Sequence, residues 1–190
     1  SAAYVTVGGV ITSLISKETF VVSDELNHNS IINAIKLGRP PFRAVYKHND
    51  LGDLKRCLDE AKAGTAKRVL VVTDGIFSMR GDHAPLKDIL ELVHSYDEHF
   101  AEGAFLVACG RTGHGTEEMT GARVDVLIGT LGKAYGVNGG YVTASRALIT
   151  YLREHAAMYI YSNPITVGEA CATMKALDIL ESDEGAKILE

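Results

Sequence analysis

The segment Arg68 to Thr73, RVLVVT, is apolar and β-branched almost without a break, the composition of a strand that is covered on both faces. Comparable short runs lie at Thr19 to Val22, Phe42 to Tyr46, Ala104 to Val107, Val124 to Ile128 and Gly140 to Ala144. Between and around them stand segments with helical periodicity: Val5 to Ile15, Asn29 to Leu37, Leu51 to Ala63, Pro85 to Tyr96, Arg146 to His155 and Val167 to Leu180. Strands alternating with helices specify an α/β fold, a mostly parallel sheet with helices on both faces. Pro85 suits a first helical turn, and Asp50 suits the cap of the helix that starts at Leu51.

With 190 residues, 46% of them hydrophobic and 23% charged, the chain can build one substantial core, most simply a single domain over 1–190. No apolar run reaches the length of a membrane span, and the first residues lack the basic flank of a signal peptide, so a cytoplasmic location is expected. The net charge of -5 is spread in mixed signs, which leaves no basic stripe for nucleic acid. Cys57, Cys109 and Cys171 have neither an even count nor metal-ligand spacing, so neither a disulfide framework nor a metal site is expected.

In an open α/β sheet a ligand sits beyond the carboxyl ends of the strands. The polar residues to inspect there are Asp24 to His28, Asp74 to Ser78, and Thr130 with Lys133. Lys133 stands in GTLGKAYG at 129–136, directly after an apolar run. A lysine that must form a Schiff base needs partial desolvation and a fixed direction of attack, and flanking glycines let a cofactor approach. Most lysines beside glycines are ordinary surface residues; the convergence of three segments on one edge sets Lys133 apart. The spacing excludes a phosphate-binding P-loop, because too few residues precede Gly132 and Lys133, and Ala134 follows. Gly139 and Gly140 open an apolar segment instead of a helix, so they read as a turn between strands and not as a dinucleotide fingerprint.

Taken together, DELNHNS at 24–30, TDGIFSM at 73–79, GTLGKAYG at 129–136 and YSNP at 161–164 resemble the α-oxoamine synthases, pyridoxal-phosphate enzymes of the aspartate-aminotransferase fold. The resemblance runs over nearly the whole chain and implies the cofactor-binding large domain of that fold. It implies that Lys133 carries the pyridoxal 5'-phosphate cofactor and moves the substrate α-proton. It implies that His28 stacks on the pyridine ring and orients substrate, that Ser78 approaches the ring hydroxyl, and that Thr130 binds on the phosphate side. SAAYVTVGG resembles the family's phosphate-binding helix start, with the amides of Ala3 and Tyr4 facing the phosphate. Ser162 and Asn163 match a pair that a second subunit contributes, which implies a homodimer with shared sites. Read from the residues alone, His28 could equally be a helix-entry histidine, Ser78 a turn serine, Thr130 a strand-end cap and YSNP a turn.

The branch nearest in wording is glycine C-acetyltransferase, so the expected reaction condenses glycine with acetyl-CoA to 2-amino-3-ketobutyrate and CoA. A second enzyme reading keeps the cofactor but takes another amino acid and a longer acyl-CoA, as in the amino-oxononanoate and sphingoid-base branches. A third, from a different class, is a non-catalytic homologue acting as a dimer partner.

The chain departs from the family at one point. Members carry an aspartate and a histidine after the strand that precedes the lysine strand, and that aspartate holds the pyridine nitrogen protonated. Here Val107 runs directly into Ala108, Cys109 and Gly110. One explanation is a mobile loop left out of the sequence, which would accompany a cofactor-free state. The other is a true deletion, which would weaken the electron sink. The first is preferred, because the family's N-terminal arm and C-terminal small domain are also missing.

Overall fold

A computed structural model describes residues 2–77, 79–96, 101–107 and 115–189. After α1 (Ala3–Leu14) the chain alternates through β1 (Thr19–Asp24), α2 (Asn29–Gly38), β2 (Phe42–Tyr46), α3 (Leu51–Ala63), β3 (Arg68–Asp74), α4 (Leu86–His94) and β4 (Ala101–Val107). A short α5 (Thr116–Thr120) precedes β5 (Val126–Thr130) and β6 (Gly140–Ala144). There follow α6 (Arg146–His155), α7 (Ala157–Ile160), α8 (Val167–Leu180) and α9 (Asp183–Leu189).

The strands form one sheet in the order β2-β1-β3-β4-β5-β6. All neighbours are parallel except β5 and β6, which are antiparallel. The register pairs Phe20 with Val69 and Ala104 with Val126, so the ends of β1, β3 and β5 lie along one edge. The expected α/β architecture is therefore present, with α2, α3, α6 and α8 starting where the periodicity places them.

Alternation along the strands sorts the core into two layers. Phe20, Val22, Val69 and Val71 pack with Leu54, Leu58, Leu86 and Ile89 from α3 and α4. Val21, Leu70, Val72, Val126 and Ile128 pack on the other face with Val7, Ile11, Ile31 and Leu152 from α1, α2 and α6. Each fully buried aliphatic side chain contributes roughly 1.5–3 kcal/mol, so both layers add to the stability of the sheet. Asp50 caps α3 by accepting from the Asp53 amide at 3.0 Å, as its position predicts.

Several boundaries differ from expectation. β1 and β3 continue to Asp24 and Asp74, acids that an apolar criterion excludes but that the ladder retains because their side chains find partners. Pro85 is the cap residue before α4 and not part of its first turn. β4 begins earlier than expected, while β5 is shifted towards the carboxyl edge and includes Thr130. β2 is not covered on both faces: only Tyr46 is buried, and Phe42 and Val45 are exposed, as befits an edge strand. The short α5, α7 and α9 have no counterpart among the expected helices, since a turn or two gives little periodicity to read. The expected gap after Val107 is followed by residues 108–114, which lie outside the described residues, as does Cys109. Cys57 is buried and Cys171 exposed, both free.

Candidate active site

The residues singled out around Lys133 sit on a loop whose two ends are held by the sheet. Thr130 at the end of β5 pairs with Gly140 at the start of β6. The Leu131 amide then donates to the Gly139 carbonyl at 3.0 Å, and the Val137 amide to the Leu131 carbonyl at 3.0 Å. Within this frame the Gly136 amide donates to the Lys133 carbonyl at 3.1 Å, closing a tight turn. Gly136 and Gly139 have φ of 65° and 116°, values that a side chain disfavours, so the glycines shape the turn. The partial desolvation expected for Lys133 is not observed: the residue is exposed, because the turn stands beyond the sheet edge and none of the described residues covers it. Thr130 Oγ1 accepts from the Gly132 amide at 3.1 Å, so the strand-end cap is one of its roles.

The start of α1 abuts the same edge. A Cβ built on Gly140 would lie 2.9 Å from Ala3 Cα and 2.7 Å from Thr6 Oγ1, so the close approach of helix and strand depends on glycine there. No side chain caps α1, and its first turn holds no acid. The amides of Ala3 and Tyr4 thus carry the positive end of the helix dipole beside Thr130 and Gly140, an arrangement suited to an anion. The Tyr4 side chain instead joins α1 to α2, its hydroxyl donating to Asn29 Oδ1 at 3.1 Å and accepting from Asn33 Nδ2 at 2.6 Å.

His28 is the cap of α2. Its Nδ1 accepts from the Ser30 amide at 3.1 Å, which in the neutral ring leaves the proton on Nε2, as assigned from this bonding. Its backbone amide donates to Asp74 Oδ2 at 2.7 Å. Asn27 completes the junction: Oδ1 accepts from the Asp74 amide at 2.8 Å, and Nδ2 donates to the Val72 carbonyl at 2.8 Å and to Ser23 Oγ at 2.9 Å. Burial pushes the Asp74 carboxyl up to about 6, against the opposing effect of the His28 amide. His28 thus combines the helix-entry role with an exposed ring at the edge expected to bind ligand.

Ser162 and Asn163 are exposed, and Ser162 Oγ donates to the Met158 carbonyl at 2.6 Å. Both line a cavity of about 720 Å³ between α1, β6, α6 and α7, together with Thr6, Leu131 and Gly140 of the same chain. They therefore sit on a wall shared with the start of α1, while Lys133 and His28 lie outside that cavity. Ser78 lies outside the described residues.

Sequence reasoning passes over a second polar cluster. His48, after β2, places Nδ1 3.1 Å from Asp24 Oδ1 and Nε2 3.0 Å from Asp82 Oδ2. Partial burial opposes its charge, but the bonds to Asp82 and Asp24 outweigh that and hold the imidazole above its ordinary value. The same bond to His48 holds Asp82 below the usual carboxylate range. Burial, then the Asp24 charge, push the neighbouring Tyr46 hydroxyl up. The signal for this cluster is HND at 48–50, polar residues that directly follow the second strand just as Asp24 to His28 follow the first. Among the described residues no group of three metal-ligating side chains is placed to hold a metal ion, and no helix is long and apolar enough to cross a membrane.

The family model for aminotransferase class I and II matches residues 4–188. The chain belongs to that family. As a member of it, the chain is 42% identical over 189 residues to the 8-amino-7-oxononanoate synthase of Thermosipho melanesiensis, covering 95% of this chain and 46% of that protein. It is 41% identical over 187 residues to 8-amino-7-oxononanoate synthase 1 of Bacillus subtilis, covering 94% of this chain and 46% of the relative. Among solved structures, a lysine-to-alanine variant of the serine palmitoyltransferase of S. paucimobilis, with a bound aldimine of pyridoxal phosphate and myriocin, superposes with a TM-score of 0.84 at 25% identity, over 96% of this chain and 47% of that one. The chain spans about half the length of the relatives that it matches.

These relatives are α-oxoamine synthases, and the family resemblance stands at that level. The narrower reading as glycine C-acetyltransferase does not: the relatives are named for 8-amino-7-oxononanoate and for serine palmitoyl transfer. The motifs that suggest glycine C-acetyltransferase are common to the branches, so they cannot separate them. The group depends on pyridoxal phosphate, and the described residues fit two parts of that cofactor. The uncapped α1 start against Thr130 and Gly140 suits its phosphate, and the Lys133 amine suits its aldehyde.

Proposed function

We propose that this chain carries the cofactor site of a pyridoxal-phosphate-dependent α-oxoamine synthase that condenses an amino acid with an acyl thioester, of the 8-amino-7-oxononanoate type. The observation that supports this most is the meeting of an uncapped helix start, a glycine-walled strand pair and the Lys133 turn at one carboxyl edge of the sheet.

In this reading the amides of Ala3 and Tyr4 and the Thr130 hydroxyl hold the phosphate, and Ser162 and Asn163 of a second copy of the chain complete the phosphate side in a homodimer. The bound cofactor supplies an electron sink that stabilises negative charge at the carbon beside the substrate nitrogen. Lys133 would hold the cofactor through its amine and would remove and return the proton at that carbon. His28, fixed by its bonds to Ser30 and Asp74, presents its ring as a stacking surface and Nε2–H as a donor to substrate oxygen.

The substrate class follows from the product after which the relatives are named. Its ketone and amine lie on adjacent carbons; forming the bond between them from alanine and the thioester of a dicarboxylic acid breaks the thioester C–S bond, releasing the thiol, and the bond to the alanine carboxyl, releasing carbon dioxide. Alanine and such an acyl thioester are therefore the substrates to test first, with serine and a long-chain acyl thioester as the nearest alternative.

The test is borohydride reduction in the presence of pyridoxal phosphate, followed by peptide mapping and product analysis across a panel of amino acids and acyl thioesters. A phosphopyridoxyl adduct on the Lys133 peptide, with a keto amine formed from alanine, supports the reading; an unmodified Lys133 defeats it. A second reading, a dimer partner without chemistry, is favoured by the direct passage from Val107 to Ala108 where the family carries its ring-nitrogen aspartate. It predicts stable dimers that show no cofactor absorbance.

A further inference from the structure

Three loops leave the carboxyl edge of the sheet near β1, β2 and β3, and one imidazole touches all three. Asp24 belongs to the end of β1, His48 follows β2, and Asp82 lies between β3 and α4. Neither ring nitrogen of His48 is left to water: each faces a carboxylate oxygen, Nε2 also lies 3.3 Å from Asn49 Nδ2, and the side chain is only 11% exposed. The ring also meets Phe77 edge-on, with centroids 4.3 Å apart.

The loop after β3 has few other anchors. The Phe77 amide donates to the Asp82 carbonyl at 2.9 Å, the Gly81 amide to the Phe77 carbonyl at 2.8 Å, and the Ala84 amide to the Gly75 carbonyl at 3.0 Å. These bonds hold the loop to itself. Among the described residues, contact with the rest of the edge comes through His48, through Phe77 and Ala84 in the core, and through Asn49 Nδ2, which donates to the His83 carbonyl at 3.3 Å.

Two carboxylates on one imidazole have a chemical consequence. Only the imidazolium donates from both nitrogens; the neutral ring donates from one and turns a lone pair towards the other carboxylate. We propose that His48, as an imidazolium between Asp24 and Asp82, is the positioning residue that fixes the β3–α4 loop at the carboxyl edge, and that loss of its proton releases this loop. The importance of the loop for catalysis rests on the functional reading above; the clamp itself does not.

The charged surroundings agree with a protonated ring. Asp24 and Glu25 face it from the end of β1, the latter accepting from the His48 amide at 2.9 Å. Asp82 faces it from the loop, where Arg80 shares Asp82 at 3.1 Å and His83 is the next residue. On the α3 side, Asp53 accepts from the Lys47 amide at 2.9 Å. Carboxylates outnumber the cations Arg80 and Lys47 at this junction, so the field favours positive charge on His48.

The experiment is amide hydrogen exchange of the full chain between pH 6 and 9, corrected for intrinsic rates, with nitrogen-15 shifts of the His48 ring followed over the same range. In the wild type the Phe77, Gly81 and Ala84 amides should lose protection by roughly tenfold in step with the His48 titration. Asp82→Asn should lower their protection at pH 6 and abolish its pH dependence. A wild-type ring that titrates without any change in these amides overturns the proposal, and this needs no variant to fold. Exchange is read without cofactor, so a failed clamp and a failed Lys133 adduct are separate results.

Discussion

The backbone amide of His28 donates to the Asp74 carboxylate at 2.7 Å, so the first residue before α2 is bonded to the last residue of β3. Asn27 reinforces the same joint from the neighbouring position. Two strand ends and a helix start are thereby held as one unit beside the proposed cofactor site.

The Asp74 carboxyl, raised from 3.8 to about 6, makes stability fall as pH rises. For a group raised in the folded state, the contribution is fully present below the unfolded value and is lost as pH climbs through the folded one. Asp74→Asn retains an acceptor for His28 and removes the buried charge. It should exceed the wild type in stability by about 1–3 kcal/mol at pH 7.5, with the difference fading near pH 4. Urea titrations at both pH values check this, and a variant no more stable than wild type at pH 7.5 refutes it.

Asn27→Ala removes bonds to both neighbouring strands and strands the Asp74 amide in a buried site. The expected cost is roughly 1–3 kcal/mol, visible as a lower denaturation midpoint at an unchanged slope.

Gly140→Val should force α1 away from β6, since even a single carbon there meets Ala3 and Thr6. Destabilisation of about 1–3 kcal/mol is expected, together with weaker pyridoxal-phosphate binding measured by absorbance. Tight binding in the variant would show that the helix start does not hold the phosphate.

Lys133→Arg keeps the charge but cannot form the Schiff base. The rate should fall by at least ~10²-fold with no reducible adduct, while the melting temperature stays near that of the wild type because the side chain is exposed.

How far the sequence can be read follows from the physics of each signal. Buried strands such as RVLVVT and well-capped helices such as Leu51–Ala63 announce themselves through period and cap, and the structure has them there. Asp24 and Asp74 read as loop residues because the bonds that let an acid end a buried strand come from residues distant in sequence. His48 escapes for the same reason: its partners Asp24 and Asp82 lie 24 and 34 positions away. The branch of the family is beyond the shared motifs, since cofactor binding uses the same residues whatever acyl group is transferred.

The antiparallel return of β6 limits how the Lys133 loop can change. Every other link in this sheet passes through a helix, where an extra residue can be absorbed in a flexible turn. Here both ends enter the ladder, at Thr130 and Gly140. An inserted residue has to be absorbed within residues 131–139, because a slip of the pairing by one would turn Tyr141, whose ring now lies over Gly129, towards the opposite face. A change of loop length at this site therefore disturbs the bonds of Leu131 to Gly139 and Val137 that carry the turn, and engineering that respects this spacing keeps the lysine where the chemistry needs it.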